Sequence, residues 1–242
     1  GSQSTAIGHF ALHAQNFTSA TDTNNTAVGF HAGISVTTGA NNTFVGGLAG
    51  DANTTGAGNT GIGKNALGGN TTAAANTAVG TNAMLANTTG ASNVAVGHQA
   101  LDSNTTASNN VAVGKDALQA NTTGANNTAV GYLALDANTT AANNTAVGRD
   151  SLGANTTGAQ NTAVGQSAGL GITTGTYNSA FGYQSMNTGS TTGSYNTAYG
   201  AQSAQAMTTG ASNIAVGNSA LTANTTGDSN VAVGESALTA NT

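Results

Sequence analysis

The sequence predicts an all-β fold, a parallel β-solenoid (β-roll) of about 17 residues per coil, and three observations carry the prediction. The glycine closing an Ala-Val-Gly-type signature recurs at Gly8, Gly29, Gly46, Gly63, Gly80, Gly97, Gly114, Gly131, Gly148, Gly165, Gly182, Gly200, Gly217 and Gly234. Eleven of the thirteen intervals are 17 residues, with 21 between Gly8 and Gly29 and 18 between Gly182 and Gly200. A flexible low-complexity linker needs a composition but no register, so this spacing excludes one. Seventeen residues are also too few for the helix pairs of common helical repeats, which need more than about thirty. The abundant Asn, Thr and Gly are poor helix formers as well.

Each coil reads Asn-Thr-Ala-Val-Gly-x-x-Ala-Leu-x-Ala-Asn-Thr-Thr-Gly-Ala-x. Thr-Ala-Val predicts one strand and Ala-Leu-x-Ala a second, with glycines and Asn-rich stretches as the turns between them. Each strand pairs with its counterpart in the next coil. The residue before the marker glycine is Val in ten coils and Ile, Phe or Tyr in the others. The residue two places earlier is Thr, Ser, Val or Ile. Side chains two apart in a strand share a face, so these columns form one β-branched wall. The column between them is Ala in twelve coils, with Phe44 and Gly61 as exceptions. It never drifts into Lys or Glu. Both faces of the strand are therefore expected to be covered, the alanine face by other chains.

The energetics point the same way. Fixing a residue's backbone costs about 1–2 kcal/mol, and a fully buried Val or Leu returns about 1.5–3 kcal/mol. A thin coil does not balance that alone, which predicts an oligomer. The chain reads as a single array over residues 1–242, about fourteen coils, roughly 65 Å long at the ordinary strand spacing. Gly1-Ser2 looks like a tag remnant. The array stops at Thr242 in mid-repeat, so a fragment of a longer chain is expected.

Composition narrows the function. Charged residues are 5%, the formal net charge is −5, and Lys64, Lys115 and Arg149 are the three basic residues. That leaves no electrostatic footprint for nucleic acid. No apolar run approaches a membrane span, so no membrane insertion is expected in this segment. There is no Cys, hence no disulfide framework and no thiolate metal site. His9, His13, His31 and His98 lack metal-ligand spacing and read as surface histidines. The acidic residues lack a glycosidase pair, and neither a phosphate loop nor a calcium β-roll motif occurs. No enzyme, cofactor or metal is expected. The charges fall mostly one or two places after the marker, with Asp51, Asp102 and Asp136 in one later column, which predicts a narrow wet rim.

Two asparagine columns remain. One stands four places before the marker and includes Asn93, Asn110, Asn127, Asn144 and Asn161. Stacked coils place these amides about 4.8 Å apart, where side chains can hydrogen-bond up a ladder. The other opens Asn-Thr-Thr, formally a glycosylation sequon, at Asn53, Asn70, Asn87, Asn104, Asn121, Asn138, Asn155 and Asn224. It reads equally well as a turn ladder. A regular threonine ladder on such a turn also fits ice binding. Tyr177, Phe181, Tyr183, Tyr195 and Tyr199 cluster around the single 18-residue interval. They read either as a core swollen by the extra residue or as a receptor patch in which Tyr177, Tyr183 and Tyr195 stack on sugars.

Asn-Val-Ala-Val-Gly (Asn93–Gly97, Asn110–Gly114, Asn230–Gly234) and Asn-Ile-Ala-Val-Gly (Asn213–Gly217) resemble the Ser-Val-Ala-Ile-Gly signature of YadA-like trimeric autotransporter adhesin heads. The Asn-Thr-Thr segment lengthens the coil relative to that family. Arrays of Asn-Thr-Ala-Val-Gly are also similar to the shaft repeats of some phage tail fibres. The resemblance implies left-handed coils and a homotrimer. It implies an attachment segment of a surface or virion fibre, extracellular at the cell surface or on a tail. Its partner would be a host-surface, matrix or glycan receptor. An ice-binding solenoid and a purely structural spacer are the alternatives.

Overall fold

The computed structural model describes residues 3–16 and 22–240, so Gly1-Ser2 and the mid-repeat end at Thr242 lie outside it. The chain falls into two compact units, Gly1–Thr123 and Gly124–Thr242. The described residues of the first unit carry β1 (Thr5–Ile7), β2 (Thr26–Val28), β3 (Thr43–Val45), β4 (Thr60–Ile62), β5 (Thr77–Val79), β6 (Val94–Val96) and β7 (Val111–Val113). Those of the second carry β8 (Thr128–Val130), β9 (Thr145–Val147), β10 (Thr162–Val164), β11 (Ser179–Phe181), β12 (Thr197–Tyr199), β13 (Ile214–Val216) and β14 (Val231–Val233). Within each unit the strands pair in parallel, in chain order and column on column, as in Val94↔Val111 and Ala95↔Ala112 or Thr145↔Thr162 and Val147↔Val164. Each unit is a parallel β-solenoid with one coil per repeat.

The marker must be glycine for two reasons. It sits at φ between +123° and +142° in the coils from Gly29 to Gly217, where only glycine is comfortable. It is also pressed against the next coil. A Cβ on Gly97 would lie 2.4 Å from the carbonyl oxygen of Gly114.

The expected second strand does not form. Ala-Leu-x-Ala is a run of tight turns in which alternate residues are left-handed, for example Asn65 at φ 57° and Leu67 at φ 56°. Ala66 N–H donates to Gly63 O and Gly68 N–H to Asn65 O within the coil, while Leu67 N–H reaches Ala83 O of the next. A left-handed leucine costs roughly 1–2 kcal/mol. Leu67, Leu101 and Leu118 are nevertheless fully buried, and burial of about 1.5–3 kcal/mol each outweighs the strain.

The direction of the strand faces is the reverse of expectation. The middle alanines point into the coil's own interior: Ala27, Ala78, Ala95 and Ala112 in the first unit and Ala129, Ala146, Ala163 and Ala180 in the second are 0% exposed. The β-branched wall points outward. The interior is so narrow that a methyl group on the strand and a leucine from the turn fill it, and nothing larger than alanine fits opposite leucine.

Where the strand residue is larger, the turn gives way. Phe44 occupies the alanine column and is fully buried. Gly33 and Gly50 take the leucine position on either side of it, and a Cβ on Gly50 would lie 2.3 Å from the Phe44 ring. In the coils of Gly33 and Gly169, the asparagine that opens Asn-Thr-Thr elsewhere is replaced by buried Val36 and Ile172. A small residue in one column is matched by a large apolar one in another.

Candidate functional site

The polar groups of the interior are mostly asparagine amides. The asparagines four places before the marker are buried from Asn25 to Asn213, and Asn230 is half-buried. Their Oδ1 atoms accept from the backbone N–H of the next coil's asparagine: Asn93 N–H to Asn76 Oδ1 at 2.9 Å, Asn110 N–H to Asn93 Oδ1 at 2.9 Å, Asn144 N–H to Asn127 Oδ1 at 2.9 Å and Asn161 N–H to Asn144 Oδ1 at 2.8 Å. Most of their Nδ2 groups donate to a turn carbonyl, as from Asn127 to Ala141 O at 2.8 Å and Asn161 to Gly175 O at 2.8 Å, while Asn144 Nδ2 makes no such bond. In these coils the bonds differ from the expected amide-to-amide chain, because the backbone N–H of the next asparagine occupies the amide oxygen. The expected amide-to-amide bonds do form further along, from Asn213 Nδ2 to Asn196 Oδ1 at 3.1 Å and from Asn230 Nδ2 to Asn213 Oδ1 at 2.9 Å.

The direct chain of amides runs instead through the Asn-Thr-Thr column. Asn70 Nδ2 donates to Asn53 Oδ1 at 2.8 Å, Asn87 to Asn70 at 2.9 Å and Asn104 to Asn87 at 2.8 Å, and Asn155 donates to Asn138 at 3.1 Å. Asn53, Asn70, Asn87, Asn104, Asn121, Asn138, Asn155 and Asn224 are 0% exposed. The sequons that open Asn-Thr-Thr are thus closed to a glycosylating enzyme in the folded chain, whereas Asn41, Asn126 and Asn143, which also head Asn-x-Thr triplets, are exposed.

Three surfaces face outward. The first is the sheet face. Ile62, Val96, Val130, Val147 and Val164 are 36–40% exposed, and no charged residue stands in the strand columns. At β11 and β12 this wall turns aromatic. Phe181 and Tyr199 stack with ring centroids 5.7 Å apart. With Val164, Gly182 and Gly200 they line a depression of about 280 Å³.

The second is the corner after the marker. In the first unit it carries a ring cluster that spacing did not reveal. Phe30 stacks on His31 at 3.8 Å and on His9 at 5.6 Å, and Phe10 meets His13 edge-on at 4.7 Å. The signal was present, since His9 and Phe30 share a column, as do Phe10 and His31. Further along, Lys115 Nζ lies 2.8 Å from Asp116 Oδ2 and His98 Nδ1 lies 3.9 Å from Asp116 Oδ1. Arg149 pairs with Asp150 at 3.4 Å in the second unit. The rim is less wet than expected. Asp116 is buried, and Asp51 and Asp102 are half-buried. Burial raises the carboxyl pKa of both Asp51 and Asp102 above the ordinary aspartate value; backbone N–H groups partly oppose this at Asp51, and the Gln99 side chain does so at Asp102.

The third is the Asn-Thr-Thr turn. Its first threonines are half-buried and donate to the next coil, as from Thr71 Oγ1 to Thr88 O at 3.1 Å. Its second threonines, Thr55, Thr72, Thr89 and Thr106 among them, are exposed, one file per unit. On the flank of this turn in the second unit, Tyr177 and Tyr195 stack at 4.9 Å with planes 4° apart. They are 46% and 61% exposed, so the swollen-core reading of this pair fails. The extra residue of that coil is taken up at Thr188-Gly189-Ser190, which is exposed. Tyr183 is also exposed, but it belongs to the corner column and joins no ring contact with the pair among the described residues.

Comparison with family models, curated proteins and solved structures returns no match. Among the described residues no helix is long and apolar enough to cross a membrane. Among the same described residues, no group of three His, Asp or Glu is placed to hold a metal ion.

Proposed function

We propose that this chain is a structural and attachment segment of a surface or virion fibre, outside the cell or on a phage tail. In this reading three copies associate through the sheet face, and the repetitive outer surface meets a host-surface, matrix or glycan receptor. The observation that carries the reading is the outward β-branched wall, apolar and free of charge in every coil. Depletion of charge marks the centre of interfaces rather than ordinary surface. Covering the exposed third of each valine is worth about 0.5–1 kcal/mol at the usual burial value, which amounts to several kcal/mol per unit. The resemblance to adhesin heads and tail-fibre shafts supplies the number three and the left-handed winding.

Light scattering on the purified chain tests it, with a trimer expected at micromolar concentration. Val147→Lys places an ammonium group in the wall and is expected to yield a folded monomer. A native chain that stays monomeric overturns the reading. Attachment is tested by glycan-array and whole-cell binding of the native chain, where no binding at all leaves a structural spacer as its role.

A second reading, ice binding, is favoured by one observation, the exposed threonine file of the Asn-Thr-Thr turn. Thermal hysteresis and ice-crystal shaping by the purified chain are its test. Their absence removes it.

A further inference from the structure

The half-exposed valines of the sheet face hold no information about alignment. Val130, Val147 and Val164 are each 36% exposed, and within this unit the rungs pair column on column. A second copy displaced by one coil meets the same wall, one strand spacing of about 4.8 Å further on. The neighbouring outward column varies mildly, with Ile214 and Val231 among threonines, but in the valine column of this unit two rungs break the degeneracy by the bulk of a ring. Phe181 and Tyr199 stand in a column that is valine in ten of its fourteen members. Their rings stack on the outside of the sheet with planes 29° apart, and Tyr199 is 60% exposed. The depression they line, about 280 Å³, is below the roughly 300–1,000 Å³ of small-molecule pockets.

We propose that Phe181 and Tyr199 form a register key, which aligns copies of this chain coil against coil when they associate. The proposal rests on the association through the sheet face put forward above, and it names the occupant of the depression, the aromatic rungs of a second copy. Two features favour a copy over a different partner. The strand columns hold no charge, so an equally uncharged face is their complement, and another copy has the same rung spacing. Tyr199 alone leaves on the order of 100 Å² of ring uncovered, taking the usual 150–250 Å² of an aromatic side chain. In register, the rings of the copies cover one another. A copy slipped by one or more coils sets them against valines and holds the two faces apart there. One distinctive side chain in a repetitive interface is enough to fix register in coiled coils.

The test uses the absence of native cysteine. A nitroxide is placed on Gln166→Cys, at the exposed corner of the coil before β11, and distances between copies are measured by double electron–electron resonance. The otherwise native chain is expected to give one narrow distribution. Phe181→Val/Tyr199→Val restores the residue most common in the column, and circular dichroism checks that it folds. If the double variant does not fold, Tyr199→Val alone is read in the same way. The variant is expected to keep the native number of copies by light scattering. Its distances are expected to broaden into displacements stepped by about 4.8 Å. A distribution as narrow as the native one overturns the key and leaves the association standing. A variant that becomes monomeric assigns the pair to affinity rather than alignment, and also overturns it. A native chain that is monomeric removes the association itself, and the key with it.

Discussion

Between Gly29 and Gly63 the interior of the first unit is filled from the strand, by Phe44, with glycine at positions 33 and 50 of the facing turn. Between Gly63 and Gly114 it is filled from the turn, by Leu67, Met84 and Leu101, against Ala78, Ala95 and Ala112 on the strand. Both stretches reach full burial. Volume can therefore move between columns so long as the coil's total is kept, as in well-packed cores generally. What does not move in either stretch is the marker glycine and the asparagine four places before it.

The strongest way to break the comparison is to move volume on one side only. Phe44→Ala is expected to cost about 3–5 kcal/mol in a denaturant melt. Gly50→Leu alone is expected to be severely destabilising, because its Cβ would meet the Phe44 ring at 2.3 Å. The two together convert this coil to the leucine layout and are expected to recover most of the loss, a coupling that a double-mutant cycle measures. If the pair is no more stable than the worse single change, the two layouts are not interchangeable.

Next comes the part that is not exchangeable. Asn87→Ala removes the bonds from its Nδ2 to Asn70 Oδ1 and Gly90 O, and the acceptor of Asn104 Nδ2. Each buried group left without its partner costs about 1–3 kcal/mol, so a loss of roughly 2–4 kcal/mol is expected in the same melt. Asn87→Leu should not rescue it, since the leucine position of that coil is already held by Met84.

A smaller effect separates interior from exterior aromatics. Tyr177→Ala opens an exposed stack and is expected to cost only about 0.5–1.5 kcal/mol, in contrast to Phe44. If this pair contacts a receptor, the same change lowers binding far more than it lowers the melting temperature.

The smallest effect concerns charge. Burial raises the Asp102 carboxyl pKa above its unfolded value, so the folded state favours the protonated acid. That contribution is fully present below the unfolded pKa and is lost as pH rises through the folded pKa. Asp102→Asn is therefore expected to raise the melting temperature slightly at neutral pH and to leave it unchanged in acid. A gain that persists in acid would mean that something other than ionisation is responsible.

Coil length, the Thr-Ala-Val strand and the stacking of like columns were legible in the sequence because a fixed period leaves few architectures open. The direction of the strand faces was not. An all-alanine column reads the same whether it packs into a thin interior or against another chain, and a three-residue strand is too short for alternation to decide. The turn at Ala-Leu-x-Ala was hidden for a different reason. Propensity does not place leucine at positive φ, and the only hint was glycine at positions 33, 50 and 169 of the leucine column. Among the site residues, exposure of Tyr177 and Tyr195 followed from their column, which otherwise holds mainly Asn and Ser. The ring cluster at His9 and Phe30 needed the coil to be closed before its members met.

The amide ladders bear on the chemical lifetime of the protein. Asparagine ages when the backbone nitrogen of the following residue attacks its side-chain carbonyl carbon. Here that nitrogen is engaged: Thr54 N–H donates to Thr71 O, Thr88 N–H to Thr105 O and Val94 N–H to Asn110 O. The preceding amides are themselves pinned in the interior. The nitrogens that follow Asn41 and Asn109 are engaged as well, but those two residues are exposed. Mass spectrometry over months of storage should therefore find deamidation there before Asn53 or Asn93, whose side chains are pinned. An asparagine-rich chain held this way is slow to spoil, a property suited to material made once and left in place.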